Sequence, residues 1–332
     1  MKGHIRAVKL LLDAGADRLA EDTGNTSAEE KAWEHILTNR GSAADLSQLR
    51  VYFPDYDIDR WGFSNLHKAI LGLAGHLNSV MLNPPAAFDI DAPDVRGRTP
   101  LHWAALRADL PAVSFLLDAG ASVHAVDLTN STPLSYAVSS AIPDMVQLLI
   151  RHGANVNAVN NRGDSPLHYA ARHKDDLRTV KMLVNAGALV DSRNSLGNTP
   201  FAGAAITNRV AAGRYLLGRG ADRYSANMYG DTPLRETVQH NCHDFLKMLL
   251  DGGTRYDDVN KRGSTVLHTL ALEGDTRTAE ILVAAGVEGL DPERRNGDGK
   301  AAMEVLEGRA RLPSGFNEAF TGLLACLKAP SG

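Results

Sequence analysis

Asp94-Val95-Arg96-Gly97-Arg98-Thr99-Pro100-Leu101-His102-Trp103-Ala104-Ala105 opens a segment that closes, after Leu110-Pro111-Ala112-Val113, on Leu116-Leu117-Asp118-Ala119-Gly120. Its centre, Thr99-Pro100-Leu101-His102, returns with variations along most of the chain. The corresponding prolines are Pro100, Pro133, Pro166, Pro200 and Pro233, at steps of 33, 33, 34 and 33 residues, and Val266 takes the sixth place after another 33. So regular a period predicts stacked copies of one helical unit rather than one large sheet. Within the unit, Asp94 to Arg98 has turn composition, and Gly97 stands where a left-handed backbone costs least. Thr99 is a good N-cap whose hydroxyl can accept from a first-turn amide, and Pro100 suits the first helical position. Leu101, Ala104 and Ala105 give a short helix with a narrow apolar face. Pro111 fits the first turn of a second helix, with Val113, Leu116 and Leu117 on its apolar stripe and Gly120 in the αL position that ends it. One such unit cannot bury its own stripe, so it must stack on the next.

A second marker keeps the same period: Gly120, Gly153, Gly187, Gly220, Gly253 and Gly286 stand 33, 34, 33, 33 and 33 residues apart. T-P-L-H-x-A-A followed by a helix ending in L-L-x-x-G-A resembles the ankyrin repeat, a turn plus two antiparallel helices of about 33 residues. The resemblance implies an all-α ankyrin-repeat solenoid of stacked helix-turn-helix units joined by β-hairpin-like turns.

On this reading residues 1–332 form a single ankyrin-repeat domain. Residues 94–126, 127–159, 160–193, 194–226, 227–259 and 260–295 are the regular repeats. Asn130 replaces the turn glycine in the second of these, and asparagine is the next-best residue for αL. Residues 57–93 form a divergent repeat, with Asn65 in the proline slot and a longer connection through Leu82 to Phe88. Residues 18–56 form a degenerate one. Residues 1–17 match a second helix and its terminating glycine with no first helix, so the reading frame, or an ancestor of it, is expected to have extended upstream; simple fraying of a first helix is the alternative. Residues 296–329 are a degenerate C-terminal cap, with Phe316, Phe320, Leu323 and Leu324 on one side of its second helix. The Gly62-Phe63-Ser64 and Leu66-His67-Lys68 wording resembles ankyrin proteins of filamentous fungi.

A formal net charge of -4 supplies no drive toward nucleic acid or anionic membrane. The two cysteines, Cys242 and Cys326, fall in different units. No disulfide framework can come from them, so a reducing, intracellular compartment is expected, the cytoplasm with the nucleus as alternative. No stretch approaches 18 consecutive apolar residues, so no membrane span is expected. An aromatic content of 6% suits a core of alanine and leucine.

Catalytic and metal chemistry is expected to be absent, and no cofactor is expected. Four of the 12 histidines, His67, His102, His168 and His268, hold the recurring Leu-His position. The family resemblance implies that this histidine packs between units and bonds to backbone and to the capping threonine. Ser135, Ala202 and Arg235 stand in the same slot elsewhere, which a shared metal site could not tolerate. His240-Asn241-Cys242-His243 is the one local His/Cys cluster, and no second cluster lies at zinc-ligand spacing. Gly297-Asp298-Gly299-Lys300 departs from a phosphate loop at both ends, since Arg294 and Ala301 stand where glycine and Ser/Thr are needed.

What remains is surface. The resemblance implies a concave face made by turn tips and the outward residues of the first helices. The candidate partner-binding residues on it are Arg96, Arg98, Trp103, Arg107, Tyr136, Arg162, Tyr169, His173, Tyr229 and His240. Trp103, Tyr136 and Tyr169 hold one slot in three consecutive units, at a spacing of roughly 10 Å. That row is either a line of interface anchors or packs sideways against neighbouring turns. The leading expectation is a non-catalytic scaffold or adaptor, monomeric, binding a protein partner on that face, with no direct nucleic-acid contact. The ankyrin part of a fungal pathway regulator lacking its DNA-binding segment, and an enzyme of specialised metabolism built on this scaffold, are the alternatives.

Overall fold

The computed structural model describes residues 58–71, 73, 89–173 and 177–328. The expected partial unit over 1–17, the degenerate unit over 18–56 and the connection from Leu82 to Phe88 lie outside them. Among the described residues the regular elements are helices, with no strand. Backbone packing divides the chain into Met1–Asn160 and Asn161–Gly332.

In the first unit a 3-10 turn, Ile58–Trp61, precedes helix Asn65–Ile70 and the helix pairs Pro100–Leu106 with Leu110–Asp118 and Pro133–Ser139 with Pro143–Arg151. First helices pack on first helices, and Leu110–Asp118 packs on Pro143–Arg151. The second unit repeats the plan with Pro166–Arg172 and Leu177–Asn185, Pro200–Ile206 and Val210–Leu217, Pro233–Gln239 and His243–Asp251, and Val266–Glu273 and Thr276–Ala284. Ala302–Glu307 and Phe316–Lys328 follow, and the latter lays Phe316, Phe320, Leu323 and Leu324, all buried, against Thr276–Ala284. Each unit is a helical solenoid of the repeat seen in the sequence. No helix of the described residues is long and apolar enough to cross a membrane.

Proline opens the first helix of five repeats, where its missing N–H leaves no bond unmade. Second helices take other caps: Asp109 accepts from Ala112 N at 3.1 Å and Asp275 from Thr278 N at 2.8 Å. Asn130 is left-handed at φ 60°, and its side-chain amide also donates to Val159 O at 2.8 Å.

Each turn closes on itself and then reaches its neighbour. Asp94 N donates to Arg98 O and Gly97 N to Asp94 O, both at 2.9 Å, and the pattern recurs at Asp127, Asn194, Asn227, Asn260 and Asn296. One further amide crosses to the adjacent turn. In the first unit Val95 N meets Trp61 O and Leu128 N meets Arg96 O, both at 2.9 Å. In the second, Ser195 N meets Arg162 O at 2.8 Å, Met228 N meets Leu196 O at 2.8 Å and Lys261 N meets Tyr229 O at 2.9 Å. Gly230 shows why the turn glycine is required: φ is 82°, and a Cβ would stand 2.8 Å from Lys261 N.

The histidines complete the frame. His102 is fully buried; its Nδ1 accepts from the Thr99 amide at 3.1 Å and lies 2.9 Å from the Thr99 hydroxyl, while Nε2 donates to Ser131 O at 3.0 Å. The carbonyl acceptor assigns the proton to Nε2. The Thr99 hydroxyl thus turns to the imidazole, whereas in the repeats with Ser135 and Ala202 in that slot Thr132 and Thr199 accept from Ser135 N and Ala202 N. His67, His168 and His268 make the same bridge, to Arg98 O, Asn198 O and Lys300 O at 3.0, 3.0 and 2.9 Å.

The core between the layers is alanine, leucine and valine, with Leu101, Ala104, Ala105, Val113 and Leu116 buried. Phe201 takes a leucine slot and meets Phe245 with ring centroids 5.4 Å apart. Room for that pair comes from Gly213, where a Cβ would stand 2.5 Å from Phe245 Cζ.

Two outcomes are expected. Gly213→Ala gains helix propensity of about 1 kcal/mol but overpacks the ring at a cost of roughly 1–3 kcal/mol, so urea unfolding should show a net loss that Phe245→Leu relieves. Burial holds His102 down to about 4 and lowers His67, His168 and His268 below their ordinary value of 6.5. The unfolded chain therefore binds more protons than the folded one between those values, and stability falls as pH drops through 6.5 and on toward 4. Each such histidine steepens the loss by up to about 1.4 kcal/mol per pH unit, so urea midpoints should fall from pH 7 to pH 5 and fall less steeply in His102→Gln.

Candidate functional site

In the first unit the organising atom pair is the Asp94 carboxylate. Oδ1 accepts from Arg96 N and Arg98 N, both at 2.8 Å, and Oδ2 accepts from Trp103 Nε1 and Arg98 Nε, both at 2.9 Å. Trp103 is 0% exposed and Arg98 4%, with the Arg98 guanidinium carbon 4.1 Å over the Trp103 ring. These two expected binding residues are therefore corrected to structural ones: a side chain nine residues after the turn acid points back at that acid, not at solvent. Tyr136 repeats the geometry, its hydroxyl donating to Asp127 Oδ2 at 2.6 Å and its ring edge-on to His102. Burial and the Asp127 carboxylate push the Tyr136 phenol well above its ordinary value. The sideways packing weighed for the aromatic row is thus what Trp103 and Tyr136 do. Arg96 is half-buried with its guanidinium 5.4 Å from the Trp61 ring centre, and Arg107 is half-buried at the end of Pro100–Leu106.

In the second unit Arg162 is exposed at a turn tip, 3.9 Å from the Asp164 carboxylate. Tyr169 and His173 are half-buried on and just after Pro166–Arg172. Tyr229 is 55% exposed at the next tip but one. His240 is exposed and places Nε2 3.4 Å from Glu236 Oε2.

Glu236, expected from the sequence among the outward residues of the first helices, is instead buried at 6% exposure, and the part played by Arg235 was not expected. Glu236 holds the Trp103/Tyr136 slot and binds its own turn in the same way, accepting from Asn227 Nδ2 at 2.7 Å. Arg235 replaces the bridging histidine: Nη2 donates to Ser264 O at 2.6 Å, Nη1 donates to Thr269 Oγ1 at 2.9 Å, and Nε pairs with Asp231 at 3.1 Å. Two adjacent charged residues, Arg235 in the slot of the bridging histidines and Glu236 in the slot of Trp103 and Tyr136, were the available signal. Burial, and then the nearby Asp231, raise Glu236 to about 7. The His240-Asn241-Cys242-His243 cluster disperses: His240 faces Glu236, Cys242 Sγ donates to Ile206 O at 3.3 Å, and His243 pairs with Asp275 at 3.0 Å. Among the described residues no three metal-ligating side chains converge.

Apolar side chains stand out at the tips. Val95 and Leu128 (71% exposed) do so in the first unit, and Leu196, Met228 and Tyr229 in the second. Between the turns at Asn227 and Asn260 lies a cleft of about 400 Å³, with Tyr229, Lys261 and Arg262 on the turn side and Leu272 and Glu273 on the helix side.

Because Glu236 binds a proton more tightly folded than unfolded, the native state loses stability as pH rises from about 4.5 to 7. Glu236→Gln is expected to raise stability relative to the parent by on the order of 2 kcal/mol at pH 8 and by far less at pH 5, read as the difference in urea midpoints.

A family model described as "Ankyrin repeats (3 copies)" matches residues 66–160, 108–194, 144–227 and 167–260. The chain is 30% identical over 113 residues to a transient receptor potential cation channel subfamily A member 1 homolog of Caenorhabditis elegans, covering 34% of this chain and 9% of that protein. It is 29% identical over 107 residues to human NF-kappa-B inhibitor alpha, covering 30% of this chain and 34% of that one. The chain therefore spans only a minor part of these curated relatives. Among solved structures, the human ASB11 ankyrin repeat domain superposes with a TM-score of 0.60 at 25% identity, over 70% of this chain and 100% of its own. The ankyrin repeat domain of Bcl-3 superposes with a TM-score of 0.55 at 27% identity, over 69% and 99%. Family model, repeat geometry and structural neighbours agree: the chain belongs to the ankyrin repeat family.

Proposed function

We propose that this chain is a non-catalytic interaction scaffold or adaptor that binds a protein partner on the face formed by its turn tips and the outward side of its first helices. The observation that carries the reading is the exposure of Val95 and Leu128 in one unit and Leu196, Met228 and Tyr229 in the other. The turn backbones beneath them are hydrogen-bonded, and these side chains stand exposed on that fixed frame. The family supports the same reading, since ankyrin repeats are typical of protein–protein interaction domains. One similar protein is named as an inhibitor of another factor, NF-kappa-B. On sequence grounds the proposal takes the chain as a monomer of the cytoplasm or nucleus, from a filamentous fungus.

The test is affinity capture with the parent protein, Leu128→Asp and Met228→Asp side by side, with partners identified by mass spectrometry. Retention of a reproducible partner should drop about tenfold or more in at least one variant, as for an interface anchor, while thermal unfolding stays unchanged. Undiminished capture by both variants would remove the tips from consideration.

A further inference from the structure

We infer that the cleft between the turns Asn227–Asp231 and Asn260–Ser264 seats a linear segment of the partner in which an apolar side chain is flanked by acidic residues. This rests on the scaffold reading and adds the chemistry of what is recognised. The cleft, about 400 Å³, is of the size that accepts one or two large side chains. Its walls include two apolar side chains that the fold leaves uncovered, Tyr229 at 55% and Leu272 at 52% exposure.

The charge around it is divided between its two sides. Lys261 and Arg262 are exposed on the turn side, and no ion pair engages either side chain among the described residues. Asp231, the acid of that side, is already held by Arg235 at 3.1 Å and by Asn260 Nδ2 at 2.9 Å. His268 faces away, with Nε2 donating to Lys300 O. Glu273 lies on the helix side, so acidic residues of a bound segment are drawn to the turns and repelled from the opposite lip. The two cations are carried on fixed backbone: Lys261 N donates to Tyr229 O at 2.9 Å, and Arg262 O accepts from Gly297 N at 2.7 Å. Pre-ordered walls lower the entropy cost of binding an extended chain. A nucleic acid strand would also meet the cations, but the apolar walls and the net charge of -4 favour a peptide.

The experiment is fluorescence anisotropy with the full chain and four labelled probes. They are a short peptide with a leucine–phenylalanine pair between glutamates, its serine-for-apolar and glutamine-for-glutamate counterparts, and a single-stranded oligonucleotide. The acidic-apolar peptide is expected to bind at least about tenfold more tightly than either counterpart or the oligonucleotide, and to weaken with salt. Lys261→Gln with Arg262→Gln, and separately Leu272→Ser, should each reduce that binding about tenfold with unfolding unchanged. No measurable binding of that peptide, equal binding of its counterparts, tighter binding of the oligonucleotide, or indifference to both variants would each overturn the inference. If the captured partner is lost with Met228→Asp or Leu128→Asp yet kept by Lys261→Gln with Arg262→Gln, this inference fails and the scaffold reading survives.

Discussion

A buried donor on the first helix, aimed at the carbonyl just before the next repeat's N-cap, is the interaction on which the stack depends in five of the described repeats. At His67, His102, His168 and His268 the donor is a neutral imidazole Nε2. Such a bond is worth roughly 1 kcal/mol net, but losing it leaves a buried carbonyl unpaired at about 1–3 kcal/mol. A repeat protein has no long-range core to absorb that loss, because each unit touches only its neighbours. The bridge therefore fixes the distance between first helices, and with it the meeting of successive turns.

The repeat at Asn227 shows that the requirement is for a donor and not for histidine. Arg235 reaches the equivalent carbonyl, Ser264 O, and compensates its own charge with Asp231. Elsewhere the link is relocated. With Ser135 in the slot, the Asn130 side chain donates to Val159 O, and with Ala202 there, Arg193 Nη1 donates to Ala226 O at 2.7 Å. The same freedom brings a buried carboxyl, Glu236, into the slot that Trp103, Tyr136 and Tyr169 hold in three other repeats. In this repeat too the frame carries charge, here beside the cleft lined by Tyr229 and Lys261.

Frame and face separate cleanly in such a molecule. Residues whose side chains complete the turns, such as Asp94, Arg98, Trp103 and Asp127, are buried and committed to the fold. Residues one or two places away, such as Val95, Leu128, Met228 and Tyr229, project from a backbone that needs nothing from them. Variation at those positions changes what the surface offers while the stack stays the same, which is the physical basis of an interaction role for this family.

The periodic spacing of Pro100 to Pro233 and of Gly120 to Gly286 was enough to determine the helical repeat, and the resemblance of that repeat to the ankyrin family implied its hairpin-like turns and the structural part played by the histidines. The helical repeat is legible because its causes are local: φ preference, capping and a fixed period. The candidate face was only partly legible. Tyr229 and His240 do lie at the surface, whereas Trp103 and Arg98 turn inward, because the destination of a helix side chain depends on whether an acid waits nine residues earlier. Asp94 and Asp127 precede Trp103 and Tyr136 by that interval, but only the folding of the turn over the helix gives the interval meaning. Likewise the Phe201–Phe245 contact above Gly213 and the bridge made by Arg235 join residues that sequence distance keeps apart, and three-dimensional packing alone settles them.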